Sequence, residues 1–298
     1  MKKATLRLLT ITLLAGFFAR ADAQHTGFTV WGEPNAEAGN LPPEHRFVHP
    51  LTAPYYHEDS FVTTDVRAWF LYHDFPKSSP IGGGNAKVYA LQARVALSDT
   101  FQFVAYKDGY SDFNTGALEE SGWNDIALGF KCNFIQDWEK QFHAAAGIGY
   151  EFKTGQGKML HNDSELRLWG SLNKGFNRLH LGSTLNLFLA EDKDSGAGNA
   201  DRLSWHLHAD YWINRYYSVV LELNGYHVLD EGREVLPFQG LDALNLGGGK
   251  NEDVVTIAFG DEFRATDQLS IRGAYEMPLT SKEDLFGYRW TFSAIYSF

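Results

Sequence analysis

One cysteine, Cys132, is all that the sequence contains. An internal disulfide and a cysteine-based metal centre both need more, so neither is available. Positive charge is also short: 26 Lys and Arg stand against 37 Asp and Glu, for a formal net charge of −11. Such a balance argues against a nucleic-acid partner, which would need a basic face. Long apolar runs are missing too. The most apolar stretch, residues 8–18, is shorter than a bilayer-spanning helix requires, and no other run approaches that length, so a helical membrane protein is excluded. Mean hydropathy is only −0.30 although aromatics reach 15% and there are 29 glycines. Many aromatics without bulk hydrophobicity suit a chain that alternates apolar and polar residues.

The N-terminus reads as a targeting signal. Lys2, Lys3 and Arg7 supply positive charge, residues 8–18 the apolar core, and Ala21-Asp22-Ala23 a small-residue cleavage site. Residues 1–23 are therefore expected to be a signal peptide removed after Ala23. No cysteine follows the site, so a lipid anchor is not expected. Residues 24–60 form a second unit and residues 61–298 a third.

That third unit alternates. In the last strand Tyr288, Trp290, Phe292, Ala294, Tyr296 and Phe298 share one face, while Arg289, Thr291, Ser293 and Ser297 share the other, interrupted by Ile295. Successive side chains of a strand point to opposite faces. About ten residues is the length of one tilted membrane-spanning strand. The pattern recurs at Phe142–Lys153, Leu203–Ile213, Asp125–Phe134 and Leu179–Leu189. A C-terminal Phe298 closing such a strand resembles the signal that barrel-assembly machinery reads. That machinery and outer-membrane lipid are thus expected partners.

Twelve strands follow from this periodicity, over 61–74, 86–97, 101–109, 123–134, 141–153, 163–173, 178–190, 202–213, 217–228, 252–264, 269–278 and 287–298. Their connections alternate in length. Short turns fall at 98–100, 136–140, 174–177, 214–216 and 265–268; longer segments fall at 75–85, 110–122, 154–162, 191–201, 229–251 and 279–286. The expected fold is all-β: an antiparallel up-and-down transmembrane barrel in the bacterial outer membrane, with short periplasmic turns and long extracellular loops. The glycine triplets 82–84 and 247–249 lack the strand–loop–helix setting of a nucleotide site, so they read as loop.

Residues 24–60 carry Pro34, Pro42, Pro43, Pro50 and Pro54 and no sustained alternation. Proline cannot donate to a strand ladder. Two readings remain open: a periplasmic leader, or a plug that buries Trp31, Phe47, Tyr55 and Tyr56 inside the barrel.

The polar faces, turned inward, give a lumen lined by Asp65, Arg67, Arg94, Asp125, Lys131, Glu151, Lys153, Glu165, Arg167, His206, His208, Asp210, Glu222, Glu262, Arg264, Arg272, Glu276 and Arg289. Facing lipid, each charge would cost several kcal/mol. These groups either line a wet channel or pair across a narrow lumen; twelve strands lie between the filled and the open barrel sizes. His206, His208 and Asp210 share one strand face, but a metal would need further convergent ligands. His180 and Ser183, the nearest hydrolase-type pair, fall on opposite faces. No cofactor is expected, and Cys132 reads as a small apolar residue on the lipid face.

Gly147-Ile148-Gly149-Tyr150-Glu151-Phe152-Lys153-Thr154-Gly155 resembles the glycine-rich strand and Thr-Gly loop of the outer-membrane channels called MetA-like, associated with phenol degradation. Trp123-Asn124-Asp125-Ile126-Ala127-Leu128-Gly129 is similar to the strand preceding it there. The likeness is one of motif over 123–155 and of architecture over 123–298. It departs at Lys153, where the family usually has Pro. It implies a porin-like channel for passive passage of small solutes, hydrophobic or aromatic compounds among them, with no functional residues to carry over. The alternatives are an outer-membrane lipid hydrolase and a structural or adhesive barrel acting through its loops.

Overall fold

In the computed structural model, residues 28–33, 41–156, 164–193, 199–232, 248–250, 253–280 and 287–298 are described. The alternating segments form fourteen strands in one antiparallel sheet: β1 (Asp65–Phe75), β2 (Gly84–Ala96), β3 (Phe101–Lys107), β4 (Tyr110–Thr115), β5 (Glu119–Trp123), β6 (Ile126–Asp137), β7 (Phe142–Phe152), β8 (Glu165–Phe176), β9 (Leu179–Ala190), β10 (Asp201–Asn214), β11 (Tyr217–Asp230), β12 (Val254–Arg264), β13 (Leu269–Pro278) and β14 (Tyr288–Ser297). β1 pairs with both β2 and β14, which closes twelve of them into a barrel; β4 and β5 are the two extra strands. Closure leaves the barrel no free edge.

Several expected boundaries move by a few residues, and two of the changes bear on the lumen and its rim. The first strand begins at Asp65, not 61, because residues 61–64 belong to a segment inside the barrel, where Phe61 is buried. The expected loop over 110–122 is the hairpin β4–β5. It arises because β2 outreaches β3: Ala93–Ala96 pair with β3, and Gly84–Tyr89 pair with β4. The chain passes from one to the other at Gly109, whose φ of 109° suits glycine and where a Cβ would lie 2.3 Å from the Tyr89 carbonyl oxygen.

The outward face is apolar. Leu91, Phe134, Leu185, Phe259 and Ile271 are each more than half exposed. A water-soluble sheet would cover such residues, whereas lipid suits them. Links of a few residues at 97–100, 138–141, 177–178, 215–216 and 265–268 gather at one end with Asp65 and Phe298; the longer links after β1, β7, β9, β11 and β13 leave from the other, as does the β4–β5 hairpin.

The interior holds residues 47–64 of the chain itself. Val30 and Trp31 donate backbone bonds to Ala96 and Leu97 at the short-turn end (3.0 and 2.8 Å). After a 3-10 turn at Pro43–His45, the chain climbs into the lumen. It reverses at Ala53, which has φ 50° and accepts the N–H groups of Tyr56 and His57 (both 2.9 Å). It then descends to Thr64, whose carbonyl accepts the Phe298 N–H (2.9 Å). This strap is buried from Phe47 to Phe61. Of the four aromatics a plug would bury, Phe47, Tyr55 and Tyr56 are inside, while Trp31 stays exposed at the end of the barrel. Pro50 and Pro54 keep the strap from joining a ladder, so its main chain must find other partners.

Candidate functional site

Wall side chains supply those partners. On the ascending limb, Asp210 accepts the Val48 N–H (3.2 Å), and Glu222 accepts those of Leu51 and Thr52 (2.8 and 2.7 Å). Arg272 donates to the carbonyls of His49 and Pro50 (2.9 and 3.1 Å). At the apex, Gln92 donates to Pro54 (2.9 Å), and Arg167 donates to Tyr55 and Tyr56 (2.8 and 2.7 Å). On the descending limb, Ser171 reaches the Glu58 carbonyl (2.6 Å), Lys131 that of Asp59 (3.0 Å), and Asn173 accepts the Ser60 N–H (2.9 Å).

Arg167 is held from every side. Asn186 accepts from it at 2.7 Å, and its guanidinium lies 4.7 Å from the Tyr106 ring centroid and 4.5 Å from that of Trp169. Those two rings fit because Gly147 and Gly149 face them: a Cβ at Gly147 would stand 2.1 Å from the Trp169 indole, and one at Gly149 2.6 Å from Tyr106. The glycines of β7 therefore make room for an aromatic wall around one arginine.

The remaining charges pair locally. Arg67 bonds Asp65 (2.7 Å), Arg202 bonds Glu165 (2.8 Å), Arg264 bonds Glu262 (2.9 Å) and Arg289 bonds Glu276 (2.6 Å). Arg94 pairs with Glu58 of the strap, and Lys107 with Glu151. His208 bridges Glu222 (2.7 Å) and Asp210 (3.2 Å), while His206 bonds Asn224 (2.8 Å) and Ser204 (3.0 Å). Charge pairing of this kind mainly offsets the cost of burial.

Every charged residue expected in the lumen turns inward and is buried, with one correction. Lys153 is exposed, because β7 ends at Phe152 and the lysine belongs to the following loop. Asp125 sits at the rim, where its carboxylate accepts the N–H groups of Thr154 and Gly155 (both 2.6 Å). The Asp and Thr-Gly of the sequence motif are thus one structural clasp. Neither expectation for the wall charges, a wet channel or pairing across the lumen, foresaw that the strap would stand between them as their partner. Sequence reasoning also passed over Gln92, Lys107, Asn173, Thr184 and Arg202, which are all buried. Neutral amides at inward positions of the alternation were the signal for Gln92 and Asn173.

His206, His208 and Asp210 are engaged as described, and among the described residues no group of three or more His, Cys, Asp and Glu is placed to hold a metal. His180 points inward to Asp210 (2.7 Å), and Ser183 lies on the outward face of the same strand, so the two form no catalytic pair. His57 of the strap stacks 5.2 Å from His206. Burial, assisted by His206 and His208, holds its pKa well down, at about 3, against the opposing pull of Glu222.

The lumen has two halves. Toward the short turns it is largely polar, apart from a small aromatic cluster of Phe47, Phe61 and Trp138. Toward the long loops, Trp69, Leu71, Phe75, Val88, Phe113, Phe188 and Tyr226 form one buried apolar cluster that also contains Tyr55 and Tyr56.

No family model matches the sequence, and no curated protein matches it. Solved structures do match. The COG4313 outer membrane channel from Pseudomonas putida F1 aligns with a TM-score of 0.58 at 13% identity, over 85% of this chain and 100% of that one. A NanC porin aligns with a TM-score of 0.50 at 12% identity, over 79% and 98%. The fold is thus that of outer-membrane channel barrels.

Proposed function

We propose that the chain is an outer-membrane channel for passive passage of small solutes, hydrophobic or aromatic ones in particular, with residues 47–64 as a strap that must yield for passage. The carrying observation is that a tethered segment of the chain occupies the lumen, packed among the wall's buried side chains and held by them. Removing or shifting that segment would open a passage through a lipid-facing barrel, polar in its middle and aromatic toward the long loops. The aromatic cluster at the long-loop end supports the solute class, as does the resemblance to MetA-like channels. On this reading residues 1–23 direct export, the long loops face outward, the closing strand with Phe298 engages the assembly machinery, and the protein catalyses no reaction.

The test is single-channel recording of the mature chain in planar bilayers. Discrete conductance steps that lengthen when strap anchors are substituted are expected. An inserted, folded barrel that stays silent with its strap both intact and weakened would sink the channel reading.

A further inference from the structure

The wall grips the strap mostly by its main chain. Arg167 and Arg272 each hold two successive carbonyls, and Glu222 holds two successive N–H groups. These are bonds to peptide groups, indifferent to which side chain follows. Carboxylate acceptors and guanidinium donors in one narrow lumen suit a ligand that presents both N–H and C=O, as a polyamide does and a simple phenol or hydrocarbon does not.

Donors also exceed what the strap uses. Arg272 Nη2, beside the strap, and Trp169 Nε1, beside Arg167, are buried and have no hydrogen-bond partner among the described residues. Unmade bonds of this kind cost free energy, and a carbonyl-rich ligand would recover them. Just above Arg167, the aromatic cluster receives the Tyr55 and Tyr56 side chains: Tyr56 lies 4.8 Å from Phe188 and 6.1 Å from Tyr226. One site therefore reads carbonyls with arginine and aromatic side chains with rings.

We propose that the solute is a short peptide bearing aromatic side chains that turns as the strap does at Ala53, and that residues 50–58 occupy its site as a tethered stand-in. This rests on the channel reading and narrows its aromatic solutes to peptides. Passage requires the peptide to replace the strap bond for bond, so the lumen never leaves its arginines and carboxylates bare.

The experiment is solute entry into liposomes carrying the full mature chain, with an acetylated Pro-Tyr-Tyr-His amide against a neutral oligosaccharide of equal mass. The peptide is expected to enter at least about tenfold faster, since one bond to a charged group is worth roughly a factor of ten. Arg167→Met, at the arginine that holds the Tyr55 and Tyr56 carbonyls, is expected to loosen the strap and raise sugar entry while collapsing the peptide preference toward one. Arg167→Lys, which keeps the charge and loses the fork, serves if the methionine variant fails to fold. Equal entry of peptide and sugar in the parent protein overturns the peptide assignment and leaves the channel reading standing. Entry of neither, with Glu222→Gln also silent, overturns both.

Discussion

The Glu222 carboxylate accepts the backbone N–H of Thr52 at 2.7 Å, joining the middle of one barrel strand to a segment 170 residues earlier in the chain. Its other oxygen accepts from Leu51 at 2.8 Å, and the Thr52 hydroxyl and His208 complete its surroundings. One side chain thereby satisfies two main-chain donors that proline-bounded geometry has kept out of any ladder.

Replacing Glu222 should therefore free the strap more than it harms the barrel. Glu222→Ala strands two buried N–H groups at about 1–3 kcal/mol each, a cost borne by the docked strap. Every 1.4 kcal/mol is about tenfold in an equilibrium. Open-channel occupancy in planar bilayers should rise at least tenfold, and amide exchange over 48–61 should accelerate, while the strand amides stay protected. Faster exchange in the strands as well would mean that the strap holds up the barrel.

A second expectation concerns the glycines of β7. Gly147→Val places methyl groups where the Trp169 ring now lies. Small-to-large changes in a packed interior cost about 1–3 kcal/mol. Trp169 forms one side of the Arg167 setting, so its displacement should reach the strap apex. Thermal unfolding in detergent should fall by several degrees, with conductance raised. Gly170→Val is the control: a Cβ there meets its nearest atom only at 4.0 Å, and little change is expected.

Protons should act on the strap through His57. Its docked pKa, about 3, lies below the ordinary 6.5 because burial disfavours the charged ring. The docked state thus binds fewer protons than the released one. Docking is fully favoured above about pH 6.5 and weakens as pH falls toward 3, by at most about 1.4 kcal/mol per unit. Conductance should rise on acidification from pH 7 to 4, and His57→Gln should flatten that rise. A profile as steep in the glutamine variant would assign the effect to other groups.

Much of the barrel was legible because a strand has one rule, a period of two, and β14 obeys it from Tyr288 to Ser297 with Ile295 as its one apolar inward residue. Alternating link lengths then ordered the ends. The strap was not legible to that depth. Residues 47–64 have no period, and the bonds that place them come from Glu222, Arg167 and Arg272, which lie far along the chain. The β4–β5 hairpin escaped because Tyr110–Thr115 and Glu119–Trp123 are too short to show alternation. Their pairing depends on the free upper half of β2. Asp125 looked like a lumen charge because its parity was right, yet its partners are the amides of Thr154 and Gly155 at the rim.

The lipid-facing assignment makes the last prediction. Phe292 lies near the middle of β14, between Phe70 on β1 and Gly273 on β13, and is about half exposed at 48% on the outer face. If that surface meets hydrocarbon, Phe292→Arg puts a charge near the bilayer midplane at about 2–4 kcal/mol. Folded, heat-modifiable protein recovered from lipid vesicles should drop markedly, while the same variant refolded into detergent micelles, whose headgroups lie closer, should lose far less. Asp267→Arg is the control: this residue is exposed in the short turn at 265–268, where an added arginine stays in water, and both yields should be unchanged. An equal loss of the Phe292 variant in vesicles and micelles would show that Phe292 packs against protein, and that the outer face is buried by something other than lipid.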